Sequence, residues 1–265
     1  MINDQKFIVL QEYLISLGNI AVAFSGGLDS TFLLTVASKS VKAKVIALTL
    51  KTPYIPDWEL DEAKKTCIDL KIEHIIIESG IPEDIRNNPP ERCYMCKSFV
   101  FSRFKGEAKK YGAFELIDGT NKDDISDYRP GLKALNELGI KSPLLECDLT
   151  KEDIRKFSKM LGIISWNKPA YACLLTRIPY NTDIKEPDLL LIEKGELFLH
   201  KLGFTEARLR LHNKTARIEI GAEKMDKFMN PELRLEIVNE LKRLGCLYVS
   251  LDLEGYRTGS MNNNI

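Results

Sequence analysis

The 265-residue chain has no net charge: 38 Lys and Arg are matched by 38 Asp and Glu. Without an overall basic field, nothing draws it as a whole to nucleic acid or acidic lipid. With aromatic residues at only 8% it also has little material for stacking on single-stranded bases. No apolar run reaches the roughly 18 to 20 residues of a membrane-spanning helix, and Met1-Ile2-Asn3-Asp4 lacks the basic-then-apolar layout of a secretory leader. The expectation is a cytoplasmic protein with no nucleic-acid and no membrane partner. There is no Gly-x-x-x-x-Gly-Lys-Ser/Thr and no Gly-x-Gly-x-x-Gly, which removes two common nucleotide loops. Internal repeats are absent too. Of the six cysteines only Cys93 and Cys96 form a close pair, so a Cys₄ zinc site has no second half.

What is present suffices for a packed core: 44% hydrophobic residues, in a chain long enough for one large or two ordinary domains. Short apolar runs at 20–24, 45–50, 74–77 and 114–118 read as buried strands, with helical patterns at 30–40, 58–70 and 96–111 between them. That alternation predicts an α/β fold, a parallel sheet flanked by helices whose ligands sit at the carboxyl ends of the strands. From 144 onward the pattern changes. Thr150 is placed as the N-cap of a helix over 151–161, and a proline-bearing stretch covers 166–179. Helices at 188–202 and 232–244 then accompany strands at 207–211, 216–220 and 247–251. This predicts a smaller C-terminal α+β domain, dividing the chain into 1–165 and 166–265.

Ser25-Gly26-Gly27-Leu28-Asp29-Ser30 lies between the first strand and the first helix of that sheet. Without Cβ atoms at Gly26 and Gly27 the backbone can close on an anion. Ser25, Ser30 and Thr31 add hydroxyls, and the helix start adds the positive end of its dipole. Such a loop suits a phosphate chain; for a bare diglycine the alternative is a plain strand-to-helix turn. The turn Asp118-Gly119-Thr120-Asn121 follows another strand and is expected to face the same crevice.

Cys67, Cys147 and Cys246 sit among apolar residues and read as small core side chains. Cys93 and Cys96 open a helical pattern beside Arg92 and Lys97, a setting of dipole and cations that favours a reactive or metal-bound thiolate. A thioredoxin-type pair would follow the first strand of its own fold. Two thiols are too few for a zinc or iron–sulfur site, so a third ligand must come from elsewhere. Cys173, between Pro169 and Pro179 and bracketed by Lys168 and Arg177, is the best candidate; the alternative is a small buried residue beside Leu174 and Leu175. Arg208, Arg210 and Arg217 alternate on paired strands and can present guanidinium groups on one face, unless that face is merely solvated.

The hexapeptide 25–30 resembles the pyrophosphate-binding PP-loop, Ser-Gly-Gly-x-Asp-Ser, of the ATP pyrophosphatases, which include asparagine, GMP and NAD synthetases and several tRNA-thiolating enzymes. This implies an adenine nucleotide alpha hydrolase-like fold and cleavage of ATP to AMP and pyrophosphate. Ser25, Gly26, Gly27, Asp29 and Ser30 would grip the phosphates, and Asp29 would also hold Mg²⁺. Gly119, Thr120 and Arg129 would complete the ATP site, with the adenine against the strand end that carries Thr49.

A narrower resemblance spans nearly the whole chain. Lys168-Pro169-Ala170 through Cys173 to Arg177-Ile178-Pro179 is similar to the cysteine loop of the LarE family. So are 118–121 with Asp124, Asp127, Tyr128, Arg129, Pro130 and Gly131, the strand pair carrying the three arginines, and the tail 253–262. LarE enzymes adenylylate the carboxylates of pyridinium-3,5-biscarboxylic acid mononucleotide and convert them to thiocarboxylates, toward the nickel-pincer nucleotide of lactate racemase. The resemblance implies that small molecule as partner, bound by Arg177, Glu196, Arg208, Arg210 and Arg217. One group of the family sacrifices the thiol matched by Cys173; another holds a [4Fe-4S] cluster on three cysteines, its free iron presenting a sulfide. Cys93, Cys96 and Cys173 match the second group, and a cluster-borne sulfide is preferred here to sacrifice of Cys173. The rivals are a tRNA-thiolating enzyme, which needs an extended basic surface, an ammonia-using amide ligase of the NAD-synthetase kind, which needs none of the three cysteines, and a nucleotide sensor without chemistry. A homo-oligomer is expected.

Overall fold

A computed structural model describes residues 2–113, 115–125, 130–169 and 171–257. The chain divides into two compact units, one comprising Met1–Pro82 and Glu91–Tyr171, the other Glu83–Pro90 and Ala172–Ile265. The division expected at 165/166 therefore falls at 171/172, and a short excursion at 83–90 joins the second unit. Among the described residues no helix is long and apolar enough to cross a membrane.

The first unit runs α1 (Gln5–Ser16), β1 (Ile20–Ala23), α2 (Leu28–Ser40), β2 (Val45–Lys51), α3 (Asp57–Leu70), β3 (Glu73–Glu78), α4 (Arg92–Lys110), β4 (Glu115–Ile117), α5 (Pro130–Glu137), α6 (Pro143–Glu146) and α7 (Lys151–Met160). Its four strands are the four expected, all parallel, in the order β3-β2-β1-β4. The chain builds outward from β1 through β2 to β3 and then returns to add β4 on the other side of β1. That reversal makes the carboxyl ends of β1 and β4 a topological switch point, where helices leave to opposite faces and a crevice opens.

Helix α2 is buried nearly all round, with Leu28, Phe32, Leu33, Leu34, Val36 and Ala37 in the core. It is held by an aromatic triad. Phe7 of α1 meets Phe157 of α7 at 5.4 Å between ring centroids, and Phe32 of α2 stacks on Phe157 at 6.3 Å. Such pairs contribute about 0.5–1.5 kcal/mol each beyond the area they bury. Thr150 caps α7 as expected, in a reciprocal capping box with Asp153. The sheet's other face is covered by Phe101, Phe104 and Ala108 of α4 with Leu135 of α5. Helix α4 begins four residues before the expected start, so both Cys93 and Cys96 lie in its opening turns.

The second unit contains α8 (Glu186–Lys201), β5 (Arg208–His212), β6 (Thr215–Glu219), α9 (Met225–Phe228), α10 (Pro231–Arg243) and β7 (Tyr248–Leu251). The hairpin β5–β6 is antiparallel and β7 runs parallel to β6. Period-two alternation sorts the sheet. Leu209, Leu211, Ala216 and Ile218 form a buried apolar face, and α8 approaches so closely that a Cβ on Gly195 would stand 2.5 Å from Leu209 Cδ1. Segment 83–90 is tied in by buried Asn88, whose Nδ2 donates toward the carbonyls of Ile178 and Pro179 at 2.8 and 3.0 Å. Cys67, Cys147 and Cys246 are buried, as expected of core residues. Burial pushes the thiols of Cys67 and Cys147 up to about 12 and about 11.

Candidate active site

The loop after β1 is a knot of short bonds. The Ser25 and Ser30 hydroxyls meet at 3.1 Å, Ser30 Oγ donates to the Gly27 carbonyl at 3.2 Å, and the Gly27 amide donates to Ser25 Oγ at 3.4 Å. Gly26 has φ +73°, and a Cβ there would lie 3.3 Å from both Ala63 Cβ and the Glu59 carbonyl, so both the conformation and the space require glycine. The N-cap of α2 is Gly27, with no side-chain cap. A helix's first amides have no partner inside the helix, and here the Ser or Asp oxygen that usually caps them is missing. Gly119 presses on the same turn, where a Cβ would come within 3.0 Å of the Ser30 amide nitrogen. The turns after β1 and β4 thus meet at the switch point. Asp118 anchors the second turn by accepting from Thr120 Oγ1 and Ser142 Oγ, both at 2.5 Å.

A cleft of ≈ 180 Å³ opens beside the loop after β1, lined by Ser25, Gly27, Leu28 and Asp29 on one side and by Glu59, Lys151, Arg155, Lys168 and Tyr171 among the rest; the turn 118–121, expected to face the same crevice, packs on the loop and does not line it. Lys151, the first residue of α7, forms an ion pair with Asp29 Oδ2. Asp29 Oδ1 is buried and has no hydrogen-bond partner. Burial pushes the Asp29 carboxyl above its ordinary range, against the opposing pull of Lys151. Arg155 donates to the Trp166 carbonyl at 2.8 Å, and Lys168 pairs with Glu62 at 2.5 Å, so both cations brace the rim. Loop amides and cations fit a polyphosphate, and a buried carboxylate oxygen with nothing to bind fits a hard divalent cation, which takes one or two carboxylates plus phosphate oxygens. Sequence reasoning missed Lys151 and Arg155. The signal was a lysine in the first turn of a helix, where the dipole disfavours it.

Thr49 has a different position. Its hydroxyl donates to the Phe24 carbonyl at 2.6 Å and meets His74 Nε2 at 2.8 Å. The side chain is buried and braces β2 against the start of the loop, which leaves only backbone at this position to meet a base. Arg129, expected on the phosphates, and 258–262 of the tail lie outside the described residues.

Cys93 is exposed and Cys96 half-buried in the first turns of α4, with Cys96 Sγ 3.4 Å from the Tyr54 hydroxyl. Within either unit, no three Cys, His, Asp or Glu are gathered to hold a metal among the described residues. Cys173 belongs to the second unit. There its carbonyl accepts from Thr176 Oγ1 at 2.9 Å, and Arg177 Nη1 reaches the Ala172 carbonyl at 2.9 Å. Arg177 and Glu196 are at most 1% exposed and pair in a two-pronged contact of 2.8 and 3.1 Å. Glu196 Oε1 also accepts from the Leu209 amide at 2.8 Å. Both residues are therefore engaged in holding the cysteine loop to α8 and β5.

The three strand arginines do share a face, since Arg210 pairs with Arg217 across β5–β6. They are not a bare row. Arg210 and Arg217 share Glu219, Arg217 also pairs with Asp252, and the Arg208 guanidinium lies 5.1 Å from the centroid of the Tyr256 ring.

The chain has relatives among known proteins. The family profile described as "Queuosine biosynthesis protein QueC" matches residues 19–89, which span β1 to β3 and the glycine loop. An uncharacterized Synechocystis protein is 34% identical over 98% of this chain and 97% of its own length. The pyridinium-3,5-bisthiocarboxylic acid mononucleotide synthase of Lactiplantibacillus plantarum is 35% identical over 94% of this chain and 91% of its own. An uncharacterized Methanocaldococcus jannaschii protein is 36% identical, covering 90% and 91%.

Proposed function

The chain belongs to the LarE family, and on that premise we propose that it uses ATP to convert the carboxylates of pyridinium-3,5-biscarboxylic acid mononucleotide into thiocarboxylates, the product named for its L. plantarum relative. One observation in particular supports this: the glycine-capped start of α2, with the partnerless Oδ1 of Asp29, lines a cleft at the carboxyl end of β1 that also holds Lys151, Arg155 and Lys168. The amides of α2 and the hydroxyls of Ser25 and Ser30 hold the β and γ phosphates, while Lys151 and Arg155 offset their charge. Mg²⁺, when bound through Asp29, neutralises the departing pyrophosphate. A substrate carboxylate oxygen attacks the α phosphorus, the bond to the bridging oxygen breaks, and pyrophosphate leaves. A sulfur nucleophile then adds to the acyl carbon and AMP departs, leaving the thiocarboxylate. Arg208, Arg210 and Arg217 are assigned to the anionic groups of the substrate.

For the sulfur we favour a [4Fe-4S] cluster, which Cys93, Cys96 and Cys173 would hold as thiolates and which would supply sulfide as the nucleophile. A specific observation keeps the second route in view: Cys173 sits in a loop whose backbone is tied down by Arg177 and Thr176, as a sacrificial thiol also requires. ATP–pyrophosphate exchange tests the first half of the reaction. Exchange that depends on the dicarboxylate, with AMP as nucleotide product, is expected; ADP and phosphate, or exchange indifferent to the dicarboxylate, would overturn the proposal. Anaerobic iron and sulfide analysis separates the two sulfur sources. Cluster absorbance lost in Cys93→Ala, Cys96→Ala and Cys173→Ala is the expected result, whereas a colourless protein that loses about one H₂S in mass per turnover assigns the sulfur to Cys173.

A further inference from the structure

Lys151 is out of place by helix electrostatics. It occupies the first position of α7, where the dipole disfavours a cation, and the helix already has its cap and its acidic turn in Thr150, Glu152 and Asp153. Its placement is nevertheless enforced. The Lys151 amide donates to Asp123 Oδ2 at 2.7 Å, the Lys122 amide donates to the Leu149 carbonyl at 2.9 Å, and the Phe7–Phe32–Phe157 triad holds α7 beside α2. The ammonium reaches Asp29, which lines the cleft together with Glu59, and it satisfies Oδ2 while Oδ1 remains without a partner.

We propose that Lys151 is an exchangeable counter-ion for Asp29, occupying the carboxylate until a divalent cation displaces it and turning to the phosphate chain when the nucleotide is bound. The inference rests on the assignment of Asp29 to the metal. A lysine stem at the mouth of a cleft, with its side chain 34% exposed, has room to swing, and an ammonium is a flexible point charge that binds phosphate as readily as carboxylate. A divalent cation enters with an anionic polyphosphate, and the displaced ammonium stays in the cleft to offset part of the negative charge that the nucleotide adds. Metal alone, arriving without phosphates, must compete with Lys151 and gains nothing that offsets the displaced pair. The device therefore makes metal binding depend on nucleotide.

The test is a titration of nucleotide-free protein with Mn²⁺, read by the electron paramagnetic resonance signal of the free ion. Lys151→Met, which keeps the stem and removes the charge, is expected to bind Mn²⁺ at least about tenfold more tightly than the unaltered chain. Lys151→Arg is expected to bind as weakly as the unaltered chain. The gain must vanish in the Asp29→Asn/Lys151→Met double variant. Lys151→Gln serves as a second uncharged replacement, and circular dichroism establishes that each variant is folded. Equal Mn²⁺ affinity in the unaltered chain, Lys151→Met and Lys151→Gln would overturn the proposal, as would a gain that survives loss of Asp29. The titration uses neither ATP nor the dicarboxylate, so it stands or falls separately from pyrophosphate exchange.

Discussion

Replacing Glu196 by alanine should unfold the second unit long before the first. The side chain is fully buried and its carboxylate does two jobs, pairing with Arg177 and accepting from the Leu209 amide. Removing one member of a buried ion pair costs about 3–5 kcal/mol, because the other charge stays in a poor dielectric. Stranding a buried amide costs about 1–3 kcal/mol more. Both losses fall on one carboxylate and do not simply add, so about 4–6 kcal/mol is the expected total, against a whole-domain stability of roughly 5–15 kcal/mol. At about 1–3 kcal/mol per molar urea, the transition should move by about 1.3 M or more. The assay is urea unfolding followed by far-ultraviolet circular dichroism, with hydrogen exchange localising the loss to residues 172–257. Tryptophan fluorescence cannot serve alone, since Trp58 and Trp166 both belong to the first unit. Arg177→Met combined with Glu196→Leu should recover about half of the loss, because no charge is then left buried. A shift below about 0.5 M for Glu196→Ala, the size of an ordinary surface change, would refute the reasoning and return Glu196 to a role in binding substrate.

Two further predictions concern the first unit and the histidines. Gly119→Ala places a methyl group 3.0 Å from the Ser30 nitrogen, so the turn after β4 must part from the glycine loop; a stability loss of about 1–3 kcal/mol by thermal melting should accompany a roughly hundredfold fall in pyrophosphate exchange, and unchanged exchange would show that the two turns need not touch. Burial lowers the pKa of His74 and His200 below the ordinary 6.5, so the stability of their neutral forms is complete above pH 6.5 and is lost as the pH falls through their lower folded values. The urea midpoint should therefore drop between pH 6.5 and 5, with a shallower slope in His74→Gln, and an identical slope in that variant would count against the assignment.

Local features were readable and distant partnerships were not. The four parallel strands are visible as apolar runs because a sheet covered on both faces needs little polar interruption, and the glycine loop is visible because its strand, turn and helix are contiguous. Helix α1 carries a legible signal, the Asp4 cap and the spacing of Phe7, Leu10 and Leu14, that the sequence reading did not use. Asn88 shows another limit. In sequence it belongs to a turn-rich Asn-Asn-Pro-Pro run, and its burial depends on carbonyls some ninety residues later. The arginines were found by period two, yet their partners Glu219 and Asp252 follow from the register of three strands. Lys151 meets Asp29 across 122 positions, a pairing that only the docking of α7 on α2 creates.

Those partnerships change what the arginine face can do for the proposed substrate. Three guanidinium groups taken alone would present three positive charges to the carboxylates and phosphate of the mononucleotide. Glu219 and Asp252 cancel two, so the face offers one net charge and a fixed array of donors. On the proposed assignment, binding is an exchange of carboxylate partners, in which the incoming anion must match the planar geometry that Glu219 already provides to both Arg210 and Arg217. An anion that cannot replace that geometry gains little from charge alone. The same logic underlies the proposal for the other unit, where the Asp29–Lys151 pair is to open only when a metal and a polyphosphate arrive together. In both places an internal counter-ion already occupies the charge, and on the proposed assignments selectivity comes from the ligand whose own groups can stand in for the pair it breaks.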